Sequence, residues 1–174
     1  MVADKFVNTF RRYAVETERK TGISAIFTLA QAALESGWGE RAIGNMFFGV
    51  KDTDGLNGNE QLLTTTEYST KPDLKFPEVI SVEKVVRNGK EMYKYKVKDW
   101  FRRYDTPEQS FTDHANFFIR NKRYAEALKV KGDAMAFAEA IAKAGYATDP
   151  SYATTLKAVI KTVKRYYCSI GLEF

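Results

Sequence analysis

The chain reads AQAALESGWGE over residues 30–40, and this stretch places a glutamate at the end of an apolar helix. The apolar residues that lead into Leu34 have the spacing of a buried helix face, and Gly37 can adopt the left-handed conformation that ends a helix. We therefore predict a helix that starts near Ser24, ends at Gly37 and carries Glu35 in its last turn. A helix C-terminus carries partial negative charge, so a carboxylate is disfavoured there unless another role favours it.

Glu35 is followed by Trp38, which lies between two glycines. We expect the carboxyl group of Glu35 to be buried beside the indole ring, and burial disfavours the charged form of a carboxyl group. A carboxylic acid that stays protonated near neutral pH is what a general acid for glycosidic bond cleavage requires. The alternative is a solvated residue of the last helical turn, and the spacing alone leaves both interpretations open.

The middle of the chain, at about 62–104, has the pattern of β-strands. The stretch LLTTTEYS is rich in threonine, and the dipeptide Asn88-Gly89 separates two strand-like runs, EVISVEKVV and EMYKYKVKDW. An Asn-Gly pair between such runs is a strong hairpin signal. In the second run aromatic and aliphatic residues alternate with lysines, which predicts a half-buried strand.

Helical patterns occupy the chain on both sides of this segment. The predicted helices end at Gly22, begin again after Thr106, run through an alanine-rich stretch that ends at Gly145, and resume after Pro150. We therefore predict an α+β fold that is mainly α. Residues 1–174 would form one helical domain with a small β-hairpin lobe inserted at about 62–104.

The composition excludes several classes of protein. The 174 residues include one cysteine, Cys168, and one histidine, His114, so an intrachain disulfide, a Cys-rich zinc site and a His-pair metal site are excluded. A Ser–His–Asp hydrolase would have to use His114, and the chain has no G-x-S-x-G motif. No apolar run is long enough to span a membrane. Residues 1–16 lack an apolar h-region, so we expect no secretory signal in the chain as given.

The net charge of +5 is concentrated in one segment. Residues 84–103 hold eight basic and two acidic side chains, a local charge of +6. One interpretation is a solvated strand face that protects a sheet edge from aggregation. The other is attraction to an anionic polymer, such as a cell-wall glycan, a phospholipid surface or a nucleic acid.

Further short motifs follow the 30–40 stretch in order. They are NMFFGVK at 45–51, TTEY at 65–68, FRRY at 101–104, SFTDH at 110–114 and GYATDP at 145–150. In this order and spacing the chain resembles the glucosaminidase domain of glycoside hydrolase family 73, over roughly residues 4–166. The resemblance implies a lysozyme-like fold that cleaves β-1,4 bonds next to N-acetylglucosamine in peptidoglycan. The basic stretch between Tyr68 and Trp100 is long for the β-lobe of this family.

The resemblance also assigns roles to individual residues. It makes Glu35 the catalytic acid, Glu67 the second acidic residue on the β-lobe, and Tyr146 a cleft residue that touches the sugar or its acetamido group. The 2-acetamido group of the substrate is the alternative to Glu67 as nucleophile. Residues suited to bind the sugar by stacking or hydrogen bonding are Trp38, Asn45, Phe48 and Tyr104, of which Phe48 is equally suited to the core.

Together these features predict an endo-β-N-acetylglucosaminidase that acts by general acid catalysis on peptidoglycan glycan strands in the cell envelope, periplasmic or secreted. We expect a monomer that needs no metal or organic cofactor, binds no nucleic acid and does not insert into a membrane. The alternatives are a muramidase or lytic transglycosylase activity, and a catalytically inactive module that binds the cell wall.

Overall fold

A computed structural model describes residues 2–169 of the chain, and these residues divide into two units. Unit 1 is helical and is formed by two separate parts of the chain, residues 2–48 and 104–169. Unit 2 comprises residues 49–103 and contains a β-sheet. The prediction of a mainly helical α+β fold with a small β-lobe is confirmed, and the sheet lies within the predicted segment to within two residues.

Five α-helices build unit 1. They are α1 (Val2–Thr21), α2 (Ala25–Ser36), α3 (Pro107–Arg120), α4 (Ala134–Lys143) and α5 (Tyr152–Ser169). Short 3₁₀ turns that the sequence did not predict lie at Ile43–Asn45, Lys122–Tyr124 and Ala127–Val130. Helix α2 packs against α1, α4 and α5, and α1 packs against α3. Helix α2, which carries Glu35 in its last turn, is therefore central to unit 1.

The residues at the helix ends explain where α2 and α3 begin and end. The Ser24 hydroxyl accepts a hydrogen bond from the Phe27 amide, and the Thr106 hydroxyl accepts one from the Gln109 amide, at 3.3 Å in both cases. Such caps satisfy amides that have no partner within the helix. Gly37 ends α2 in the left-handed conformation with φ 59°, as predicted.

Aromatic side chains fill the interior of unit 1. The rings of Phe27, Phe118 and Phe137 meet edge to face with centroid separations of 4.6–6.0 Å, and each side chain is at most 1% exposed. Burial of one such side chain contributes about 1.5–3 kcal/mol to stability. This packing joins α2, α3 and α4 and holds the N-terminal half of α2 in place.

Three antiparallel strands make up the sheet of unit 2. They are β1 (Glu60–Ser69), β2 (Glu78–Arg87) and β3 (Lys90–Arg102), in the order β1-β3-β2. Asn88 and Gly89 join β2 to β3 with φ values of 51° and 76°, the left-handed conformations that a type I′ hairpin turn requires. A register shift between Val79 and Ser81 interrupts the pairing of the edge strand β2.

The two faces of β3 differ as the alternating sequence predicted. Tyr95 and Val97 are at most 1% exposed, whereas Lys96 is exposed. The Tyr95 hydroxyl donates a hydrogen bond to the carbonyl of Lys71, and so ties the loop between β1 and β2 to the buried face. No helix within residues 2–169 is both long and apolar enough to cross a membrane.

Candidate active site

The turn that follows α2 is held by backbone hydrogen bonds and one serine. The amide of Trp38 donates to the carbonyl of Ala33 at 2.8 Å, and the amide of Gly39 donates to the hydroxyl of Ser36 at 2.9 Å. Gly39 has a φ of 90°, and Trp38 has a φ of 58°, which is uncommon for a residue with a side chain. The sequence ESGWG therefore builds a fixed turn directly behind Glu35.

Glu35 is exposed, so the expectation that its carboxyl group is buried beside Trp38 is wrong. The half-buried indole ring packs instead against Phe6 of α1, edge to face with the centroids 5.6 Å apart. The left-handed conformations of Gly37 and Trp38 turn the chain, and the indole ring lies on α1. The placement of Glu35 in the last turn of α2 is confirmed.

The carboxyl group of Glu35 accepts a hydrogen bond from Tyr152, a residue that no sequence motif marked as functional. The hydroxyl of Tyr152, the first residue of α5, donates to Oε1 of Glu35 at 3.0 Å. The same hydroxyl accepts a hydrogen bond from Nε2 of Gln31 at 3.0 Å, and Gln31 has no exposed surface. Gln31 is the one polar residue in the run Ala30–Leu34, and this is the signal that could have identified it.

His114 lies behind Gln31. Its Nε2 atom is 2.7 Å from Oε1 of Gln31, and its ring stacks on Phe48 with a centroid separation of 3.7 Å. Burial lowers the pKa of His114 to about 3, so the imidazole is neutral at physiological pH. The neighbouring residue Asp113 faces elsewhere and accepts a hydrogen bond from the Tyr104 hydroxyl at 2.5 Å, so His114 and Asp113 do not form a catalytic pair.

Tyr146 is half-buried and stands beside the residues that support Glu35. Its ring centroid is 5.5 Å from that of Tyr152 and 6.2 Å from that of His114. Burial raises the pKa of the Tyr146 hydroxyl, and the charge of Glu35 raises it further. Burial is also the main cause that raises the pKa of Tyr152. Both hydroxyls therefore stay protonated and can serve as hydrogen-bond donors at neutral pH.

The other predicted sugar-binding residues of unit 1 have structural partners. Phe48 is 5% exposed and stacks on His114, which favours the core interpretation of this residue. The side-chain amide of Asn45 donates to the carbonyl of Tyr104 at 3.0 Å. Asn45 and Tyr104 are both half-buried. Their roles in sugar binding stay predictions.

Glu67 lies in unit 2, on β1, and forms an ion pair. Nζ of Lys51 is 2.7 Å from Oε1 of Glu67 and 2.6 Å from Oδ2 of Asp99 on β3. Burial alone would lower the pKa of Lys51, but the hydrogen bonds to Asp99 and Glu67 outweigh it and the pKa is raised. Lys51 is therefore a permanent cation that fixes the side chain of Glu67 on the more buried face of the sheet.

The lysines of the basic strand are partly neutralised across the sheet. Nζ of Lys98 is 3.0 Å from Glu78, and Nζ of Lys94 is 3.9 Å from Glu83, both on β2. Lys96 lies between them and is exposed. The local charge counted from residues 84–103 thus overstates the charge of this face, because both glutamates lie just outside that range.

No group of three or more His, Cys, Asp or Glu side chains within residues 2–169 is arranged to hold a metal ion. Glu35 offers a carboxyl group whose Oε1 accepts a hydrogen bond from the Tyr152 hydroxyl, and the rings of Tyr152 and Tyr146 pack against each other nearby. This arrangement suits transfer of a proton to a leaving oxygen.

Comparisons with known proteins agree with the motifs. The family model described as mannosyl-glycoprotein endo-beta-N-acetylglucosaminidase matches residues 11–165. The peptidoglycan hydrolase FlgJ of Vibrio parahaemolyticus is 31% identical over 86% of this chain and 44% of its own length. The exo-glucosaminidase LytG of Bacillus subtilis is 29% identical over 90% of this chain and 50% of its own length. The chain thus spans half or less of these curated relatives.

A solved structure extends the likeness to the fold. The C-terminally truncated glycoside hydrolase domain of FlgJ from Salmonella typhimurium is 32% identical, with a TM-score of 0.69 over 94% of this chain and 98% of that domain. The lysozyme-like fold that the motifs implied is confirmed by this neighbour. Since the family model covers most of the sequence, the chain belongs to the glucosaminidase family, glycoside hydrolase family 73.

Proposed function

We propose that this chain is a peptidoglycan hydrolase that cleaves β-1,4 glycosidic bonds next to N-acetylglucosamine, as an endo-β-N-acetylglucosaminidase. The observation that carries the proposal is the exposed carboxyl group of Glu35 at the end of α2, with the Tyr152 hydroxyl on one of its oxygens. The family and the names of the relatives support the choice of a glycan substrate.

Glu35 is the general acid in this proposal. It donates its proton to the glycosidic oxygen while the bond between that oxygen and the anomeric carbon breaks, and the electron pair of the bond stays on the leaving oxygen. Glu35 is exposed in the free chain, so a glycan bound over it would remove water from the carboxyl group and favour its protonated form. Tyr146, Trp38, Asn45 and Tyr104 are proposed to line the sugar site.

Two groups are proposed for the other face of the sugar. Glu67 is suited to act as base or nucleophile because its ion pair with Lys51 holds its side chain in one position. The alternative is the 2-acetamido group of the substrate, which forms a bond with the anomeric carbon in substrate-assisted glycosidases. The enzyme is proposed to act in the cell envelope as a monomer, with residues 1–174 acting as one domain and without a cofactor.

The test is digestion of purified peptidoglycan, followed by borohydride reduction and mass analysis of the fragments. A reduced N-acetylglucosamine end supports the proposal, whereas a reduced N-acetylmuramic acid end indicates a muramidase. Anhydro-muramic ends indicate a lytic transglycosylase.

Glu35→Gln is the matched variant for this test, because glutamine keeps the side-chain volume and cannot release a proton. We expect unchanged melting, unchanged binding to insoluble peptidoglycan and a loss of activity of about 10²–10⁴-fold. Activity within threefold of the wild type would show that the proton comes from another group. Binding without cleavage in the wild type would favour the inactive wall-binding module.

A further inference from the structure

Three side chains of unit 1 form a hydrogen-bonded chain that leads from the half-buried His114 to Glu35. We call His114, Gln31 and Tyr152 the relay. Its links measure 2.7 Å from His114 to Gln31, 3.0 Å from Gln31 to Tyr152 and 3.0 Å from Tyr152 to Glu35. The members come from α3, α2 and α5, so the relay depends on the packing of three helices.

Each link has a direction that follows from the chemistry of the groups. Oε1 of Gln31 can only accept, so His114 donates to it from Nε2. The amide nitrogen of Gln31 then faces Tyr152 and donates to its oxygen. The single hydroxyl proton of Tyr152 is left for Oε1 of Glu35. The direction of the whole relay is therefore fixed by the ring nitrogen of His114 that carries the proton.

The surroundings of His114 hold its ring in place. The ring stacks on Phe48 at 3.7 Å and meets Phe118 edge to face at 4.9 Å. These contacts set the plane of the imidazole, and so the direction in which Nε2 points. Because the imidazole is neutral, it carries one N–H group, which the hydrogen bond to Gln31 places on Nε2.

We infer that the relay positions Glu35 for proton transfer and assigns the transferable proton to Oε2. This inference rests on the proposed role of Glu35 as general acid. Oε1 is occupied as the acceptor from Tyr152, so the protonated acid carries its hydrogen on Oε2. When that proton moves to the glycosidic oxygen, the O–H bond of Glu35 and the bond to the anomeric carbon break, and a new O–H bond forms on the leaving group. The negative charge stays on the Glu35 carboxylate.

The Tyr152 hydrogen bond strengthens during this step. A hydroxyl that donates to a neutral carboxyl group makes an ordinary hydrogen bond, and the same hydroxyl makes a stronger one to a carboxylate. The interaction therefore favours the transition state over the bound substrate, and its loss should lower kcat more than it raises KM. Tyr152 is a positioning residue in this scheme, as are Gln31 and His114.

The first test compares Tyr152→Phe with Tyr167→Phe. Both variants remove one hydroxyl group from α5, and the ring of Tyr167 packs under the Arg11 guanidinium on another part of the helix. We expect Tyr152→Phe to lower kcat about tenfold with KM within twofold. Without the hydroxyl the carboxylate is less stabilised, so the basic limb of the pH–rate profile should move up by about 0.5–1 pH unit.

Other groups near Glu35 are unchanged in this comparison. Tyr146 keeps its ring contact with residue 152, and Arg41 keeps its hydrogen bond from Nη2 to the main-chain carbonyl of Glu35, at 3.4 Å. Tyr167→Phe should match the wild type in kcat and in its pH profile. A Tyr152→Phe enzyme with wild-type kcat and an unmoved basic limb would overturn the inference.

The second test asks whether Gln31 acts on Glu35 through Tyr152. Gln31→Met removes both amide hydrogen bonds at similar volume, and we expect it to lower kcat in the wild-type background but to have no further effect when combined with Tyr152→Phe. If Gln31→Met does not fold, His114→Phe replaces it, because a flat ring still stacks on Phe48. Equal losses in both backgrounds would contradict a relay that acts through Tyr152. If the Glu35→Gln variant is active, the proposed function fails. If Glu35→Gln is inactive but Tyr152→Phe has the kcat and pH profile of the wild type, only the role of the relay is refuted.

Discussion

Mild acid should destabilise this protein through its single histidine. Burial lowers the pKa of His114 to about 3, and a histidine in the unfolded chain titrates near 6.5. Between these two values the unfolded state binds more protons than the folded state, so the free energy of unfolding falls as the pH falls. Integrating the difference from pH 7 to pH 5 gives a loss of about 2 kcal/mol. This interval lies above the folded-state pKa, so the titration of the unfolded chain sets the size of the loss.

Urea unfolding, followed by helix circular dichroism at pH 7 and pH 5, measures this loss directly. His114→Gln is the control, because glutamine does not titrate and retains an amide donor on the side facing Gln31. Carboxyl groups titrate in both proteins and cancel in the difference. We expect the wild type to lose about 2 kcal/mol more than the variant between these pH values. Equal losses in the two proteins would refute the reasoning.

Two predictions concern unit 2. Replacing Lys94, Lys96 and Lys98 by glutamine should raise KM for peptidoglycan and leave kcat unchanged. The effect should shrink at high salt, because screening weakens the attraction between the lysines and the substrate. A tenfold fall in kcat at constant KM would instead show that the hairpin takes part in the chemical step. Glu67→Gln and Lys51→Met should both lower kcat, the first by more, because Lys51 acts by holding Glu67 in place. If digestion assays find both variants within tenfold of the wild type, the acetamido group takes the role proposed for Glu67.

Most of the fold was predictable because its signals are local. Ser24 and Thr106 cap helices through amides three residues away, and Asn88-Gly89 specifies its own turn. The 3₁₀ turn at Ile43–Asn45 was missed because contacts from distant residues support it. Its Asn45 amide, for example, donates to a carbonyl 59 residues further along the chain.

The candidate site was predictable only in part. Glu35 stood out as a candidate because a carboxylate is unfavourable at a helix C-terminus, which can be judged from neighbouring residues alone. Tyr152 lies in the apolar stripe of α5, and periodicity cannot separate a core tyrosine from one whose hydroxyl reaches another helix. The position of Trp38 was mispredicted for a related reason, because its ring packs against Phe6 on α1 and not beside its neighbour in sequence.

The relay also ties catalytic competence to the order in which the chain folds. Glu35 and Tyr152 are 117 residues apart, and the chain between them includes all of unit 2. Closing a loop of this length is entropically costly and depends on the docking of α5. A nascent chain from which α5 has not yet emerged therefore holds Glu35 without the hydrogen bond from Tyr152. Likewise, a proteolytic cut that frees α5 would remove the Tyr152 hydroxyl from Glu35 while Glu35 itself stays intact.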